Sequence, residues 1–284
     1  MTWLAPFSIA FVLLCTPFPC LAIPAEQEPP PDPRLNDPKP TQVLVRVVAH
    51  GAMVLGREVG GARVTITDLD TKEILATGIQ QGEAGDQNQI MRTPHLMEEP
   101  LYSSRASASF TATLELRKPT LVEVAAEGPL AYPASIRRAA KTVLLLPGQD
   151  LTSDGIVLQL SGYIVLIEQP NPGESLIAKD DVKLRASIRT LSGAPLRPHG
   201  DWDSRKIKIY GELLVGERIV ERLQLFYTGD GGRFETPFFV PLLKEAPDGI
   251  TLRVVAADPA SGNVGSAQVN FPVLSERLRR SAAQ

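Results

Sequence analysis

The stretch Gly60–Ile79, GGARVTITDLDTKEILATGI, decides the fold. Small residues at Gly60, Gly61 and Ala62 lead into an alternating run. Val64 and Ile66 point one way; Arg63, Thr65 and Thr67 point the other. Asp68–Lys72 is a polar turn, and Ile74, Ala76 and Gly78 carry the return. Period-two alternation of β-branched residues, interrupted by Asp and Thr, predicts a β-hairpin with one wet face. Most of the chain downstream repeats this pattern.

With 284 residues, 43% of them hydrophobic and 21% charged, the chain can bury a sizeable core. Its length suggests two domains at roughly 100–200 residues each. Lys+Arg 29 against Asp+Glu 32 gives a formal net charge of -3, which argues against a nucleic-acid partner. Gly 22 and Pro 25 supply the punctuation that turn-rich β proteins need.

Residues 1–22, MTWLAPFSIAFVLLCTPFPCLA, hold no charged side chain. Their apolar stretch Phe7–Leu14 is followed by Cys20-Leu21-Ala22, with small residues at the first and third positions before a cut. This reads as a secretory signal cleaved after Ala22, giving a periplasmic or secreted protein. The stretch is shorter than the roughly 20 residues that span a bilayer. The usual positive n-region is missing, and a retained anchor is the alternative reading. Cys15 and Cys20 both fall inside the signal, so the mature chain is expected to have no disulfide and no thiolate site. No later segment is apolar enough to cross a membrane.

Residues 23–41, IPAEQEPPPDPRLNDPKPT, carry seven prolines among polar residues and read as an extended spacer. Alternating runs at Gln42–His50, the hairpin and Ser109–Leu116 are followed by a strand at Leu121–Ala125 and three apolar runs, Lys141–Leu146, Ile156–Leu160 and Tyr163–Ile167. Between them Gln80–Arg105 is a long loop without periodicity, the first place to look for a site. After Gln169–Ser175, further runs cover Val182–Ile188, Ile207–Leu213, Leu223–Tyr227, Phe234–Val240, Leu252–Ala256 and Val264–Val273. Strands every 8–15 residues or so, with turn signals between, predict sandwiches. The expected fold is all-β: two tandem antiparallel β-sandwich domains, at 42–161 and 162–274, with a polar tail at 275–284.

Residues 42–79 resemble the start of carboxypeptidase regulatory-like and transthyretin-like (prealbumin-like) domains. The likeness lies in the strand Val43–Val48, then Gly60-Gly61-Ala62-Arg63-Val64-Thr65-Ile66. Residues 163–273 resemble bacterial Ig-like modules, on the ending Leu252–Phe271, LRVVAADPASGNVGSAQVNF. Both families host many roles, so the resemblance implies a sandwich and no particular reaction.

Chemical motifs are sparse, and no G-x-S-x-G elbow surrounds any serine. Met91, His95 and Met97 form the sharpest cluster: thioether and imidazole suit Cu(I), and copper is the cofactor they would take. The bland alternative has the methionines filling gaps under the loop. His199-Gly200-Asp201-Trp202-Asp203 offers two carboxylates for a hard cation. The competing reading makes Asp201 and Asp203 turn formers, with Trp202 packed on the sandwich. The Thr228–Gly232 segment lacks the Lys and helix of a phosphate cradle. The expected function is a non-enzymatic binding or assembly module of the bacterial envelope with a protein partner. The alternatives are a periplasmic copper-binding protein and a carbohydrate-binding module.

Overall fold

The computed structural model describes residues 37–275, apart from His95, Met97, Glu98, Ser103 and Arg105. The signal, most of the Pro-rich spacer and all but Ser275 of the tail lie outside the described residues.

The quoted hairpin is present. β1 (Lys39–Ala49) comes before it; β2 (Arg63–Asp68) and β3 (Ile74–Ile79) form it, paired antiparallel. Val64 and Ile66 are fully buried, as their alternation predicts. The return strand departs from expectation. The ladder pairs Ile66 with Ala76 but Thr67 with Ile74, so Leu75 is an extra residue. That bulge swings Ile74 to the outer face, where it is 60% exposed.

The short helix α1 (Gln87–Met91) breaks the long loop. β4 (Phe110–Leu116), β5 (Thr120–Gly128), β6 (Arg137–Leu145) and β7 (Leu151–Leu160) complete a first set of strands. They make two sheets, ordered β4-β1-β7 and β3-β2-β5-β6. The inward valines of β1, with Ile66, Val122, Val124, Leu145 and Leu158, fill the space between the sheets. β1 starts at Lys39, inside the stretch expected to be spacer, because Lys39, Pro40 and Thr41 pair with Leu116, Glu115 and Leu114.

The second set follows after Ser161-Gly162. It comprises β8 (Tyr163–Gln169), β9 (Leu176–Ile177), β10 (Asp181–Thr190), β11 (Lys208–Val215), β12 (Arg218–Gln224) and β13 (Phe226–Tyr227). β14 (Arg233–Phe239), β15 (Ile250–Ala257), β16 (Val264–Phe271) and β17 (Val273–Leu274) end it. The two large sheets run β13-β14-β10-β8 and β12-β11-β15-β16. Leu184, Ile188, Leu213, Leu252, Val254 and Phe271 are central to the enclosed core. The chain is therefore all-β, with two sandwiches and two distinct cores.

Most pairings are antiparallel, as expected, but β1–β7 and β9–β17 run parallel. Parallel neighbours need a long crossover. Here nearly a whole sandwich is the crossover, so each parallel pair ties an early strand to the last.

The β1–β7 ladder slips between Val43↔Leu151 and Val45↔Ile156, so the chain bulges at 152–155. Gly155 has φ +67, and a Cβ there would lie 2.1 Å from the Leu44 carbonyl oxygen. Only glycine fits this turn. Gly155→Ala is expected to lower stability by more than about 1 kcal/mol, from the left-handed backbone alone. Urea unfolding measures this, and an unchanged midpoint would refute the packing described.

Candidate functional site

The loop between β3 and β4 is anchored from below. Gln80, 1% exposed, places its carboxamide against β1 beyond the last residue paired with β4. Its Oε1 accepts from Val47 N at 2.6 Å, and Nε2 donates to the Val47 and Leu55 carbonyls at 3.0 and 2.9 Å. The side chain thus stands in for a missing strand and satisfies backbone groups that burial would otherwise leave orphaned. Val48, Val54 and Ala108 form a small apolar cluster under the loop, with Ile90 and Tyr102 against it. The β7 bulge supplies a second tether: Asp154 accepts from Leu101 N and Tyr102 N at 2.7 and 2.8 Å. Arg46, buried beside it, donates to Ser153 O at 2.6 Å and sits 3.8 Å from Asp154. Burial pulls the Arg46 pKa down, against the Asp154 charge that raises it.

The two loops nominated from sequence meet. Arg92, just after α1, donates from Nη2 to both oxygens of Asp201, at 3.0 and 2.8 Å. Gln87 Nε2 donates to the same carboxylate at 2.5 Å. Asp201 is therefore committed to the opposite loop. Asp203 is committed too: it accepts from Arg205 N, from the Arg205 guanidinium and from His199 N. Arg205 holds the Asp203 carboxyl well below the usual carboxylate range. Asp203 thus forms its own turn while Asp201 pairs across to the other loop, and the described residues contain no cluster of three His, Cys, Asp or Glu fit for a metal. Of the soft-ligand set, Met91 ends α1 half-buried. His95 and Met97 lie outside the described residues.

Trp202 sits between these contacts and packs against both apolar cores. Its Nε1–H donates to Gly51 O at 3.0 Å. Elsewhere at the same junction Asn263 bridges the sandwiches: it accepts from Gly162 N at 3.0 Å and donates to His50 O at 3.3 Å. Within the second sandwich Gly265 lets β16 close up on β8, since a Cβ there would be 2.5 Å from Tyr163 O. Burial, with the nearby Asp258 charge, pushes the Tyr163 phenol up to about 12.

Ser, His and Asp also converge here. His50 Nδ1 lies 3.3 Å from Ser161 Oγ, and Asp258 is close enough to feel the imidazole charge. Asp258, however, accepts from Ala260 N and Ser261 Oγ within its own turn. A triad needs the carboxylate on the second ring nitrogen, orienting the base. That link is not among the hydrogen bonds of the described residues.

No motif in the sequence points to a cavity of about 510 Å³ at the open side of the second sandwich. Leu223, Leu225 and Phe234 form its floor; Arg205, Lys208 and Arg222 stand on its rim. Arg222 lies 5.8 Å from the Tyr210 ring centroid and 3.4 Å from Glu212, which also holds Arg253. The only signal was composition: Arg218–Gln224 reads as charges mixed with aliphatics, without alternation.

No family model matches this chain, and no curated protein matches it. Among solved structures, fibronectin(III)-like modules of Clostridium thermocellum CbhA align with it at 12% identity. The alignment covers 84% of this chain and 96% of that one, with a TM-score of 0.27. A match at that score carries no argument, and the sandwich assignment rests on the strand pairing and cores above.

Trp202→Phe removes the junction's indole donor and is expected to cost about 1 kcal/mol, read from chemical unfolding by circular dichroism. Arg92, chiefly by hydrogen bonding, holds the Asp201 carboxyl below its ordinary value. The folded chain therefore keeps this charge to lower pH than the unfolded chain does. The contribution is complete above about pH 4 and disappears as pH falls through the depressed folded value. The unfolding midpoints of wild type and Arg92→Ala should differ at neutral pH and converge in acid. A difference that persists unchanged would remove the ion pair from the account.

Proposed function

We propose that this chain is an exported, non-enzymatic binding or assembly module of the bacterial envelope, carried on a Pro-rich tether. The observation that supports it is the bonded junction between the sandwiches. Trp202, Asn263 and the Arg92–Asp201 pair are spent on fixing two sandwiches against each other. Fixing two sheet-bearing bodies in one orientation suits a part that must present surfaces to a partner at a set angle. Export is supported by residues 1–22, which also take both cysteines out of the mature chain. The domain limits in this reading are 42–161 and 162–274. The first domain is of the carboxypeptidase regulatory-like kind, on residues 60–66, and the second is Ig-like, on residues 252–271.

Cross-linking capture from envelope extract with the full chain as bait should return a discrete protein partner. Trp202→Ala, which loosens the junction, should weaken that capture. Turnover of an ester, peptide or glycoside substrate with no partner recovered would overturn the proposal.

A further inference from the structure

The open side of the second sandwich carries an unfinished edge. β12 is the end strand of its sheet, and only Leu223 of its seven residues is buried. Inward positions of an edge strand are normally covered by the facing sheet. Here the facing edge strand, β13, has two residues, because the chain leaves β12 at Leu225 and crosses to the other sheet. The interior is left open at the crossing, where the cavity lies.

The main chain of this edge is also available. Val215 and Arg218 face each other across the Gly216-Glu217 turn, and the ladder slips once, at Val220. Antiparallel ladders alternate hydrogen-bonded and open residues. From these fixed points, the N–H and C=O of Arg222 and Gln224 point away from β11. β12 pairs with no other strand among the described residues. The bulge and the charges on Arg218 and Glu221 keep the upper part of the edge from indiscriminate pairing. They confine an open ladder to the part beside the cavity.

Charge narrows the occupant. The cavity lining holds Arg205, Lys208 and Arg222 and no carboxylate. Arg205 and Arg222 are each matched by an acid behind them, Asp203 and Glu212; no ion pair satisfies Lys208 among the described residues.

We infer that this edge is a strand-addition site for an extended, acidic segment of a partner protein. The segment bonds to the main chain of Arg222 and Gln224 and lays apolar side chains over Leu223, Leu225 and Phe234. Its carboxylates meet Lys208, Arg222 and Arg205. Backbone pairing supplies affinity and the alternate side chains supply selectivity. The inference rests on the binding-module reading and gives that reading a place and a ligand chemistry.

The test uses the full chain and a blocked peptide of alternating glutamate and valine, with a lysine–valine peptide as control. Fluorescence anisotropy should register the glutamate peptide alone, with affinity falling as salt is added. Lys208→Glu, an exposed change that leaves the core untouched, should weaken binding about tenfold. Amide exchange at Arg222 and Gln224 should slow in the complex. No binding, equal binding of both peptides, or unchanged exchange at those two amides would each overturn the site. Partner capture from the envelope with no peptide binding removes this site and leaves the module reading standing. Peptide binding with no envelope partner does the reverse.

Discussion

Two residues, Ser161 and Gly162, separate the last strand of one sandwich from the first strand of the next. So short a connection cannot hold two sheet stacks apart, and their ends must touch. Contact in turn dehydrates the backbone at that point, and each buried polar group there needs a partner. Asn263 serves the Gly162 amide and the His50 carbonyl, and Trp202 serves the Gly51 carbonyl. Within the second sandwich, Gly265 gives up a side chain so that Tyr163 of the strand after the connection can approach. Ile164 and Leu191 belong to second-sandwich strands and turns, yet they bury in the first core. The junction is a consequence of chain length before it is anything else, and the described residues from Pro38 onward form one compact unit.

The same economy shapes the edges. A sandwich must close or protect its outermost strands, and this one uses several devices. On the first sandwich, the Gln80 carboxamide caps β1 where β4 stops. The displaced Asp154 ties down the long loop that covers the sheet beyond. On the second, one continuous segment passes from β12 to β13 and so serves two sheets. The crossing leaves apolar floor and basic rim exposed together, which neither sheet would do if its edge strand ran full length. The best candidate for recognition is thus a by-product of how the chain turns a corner.

Much of this was legible in order along the sequence. Val64 and Ile66 announce the hairpin, and the alternation of Val182, Leu184, Ala186 and Ile188 announces an inner face. The failures have physical causes. The spacing of Ile74, Ala76 and Gly78 does not keep them on one face, because a single bulge residue, Leu75, reverses the parity of the strand and leaves no mark in composition. Tyr163–Ile167 is apolar at every position for a reason invisible locally: its odd positions face their own core, while Ile164 faces the neighbouring sandwich. The aspartates at 201 and 203 looked equivalent, yet one binds across the junction and the other its own turn.

By itself, then, the sequence determined the class of fold, the positions of most strands and the wet side of those that alternate without a bulge. Those follow from solvation, which acts on every residue through its own side chain. The tertiary structure decided which strands are neighbours, including the two parallel pairs, and which loops touch. It also decided where a cavity is left. These depend on pairs of residues far apart in the chain, such as Arg92 with Asp201 or Arg222 with Phe234. No local pattern encodes such a pair, because neither member changes its character until the chain brings the other beside it.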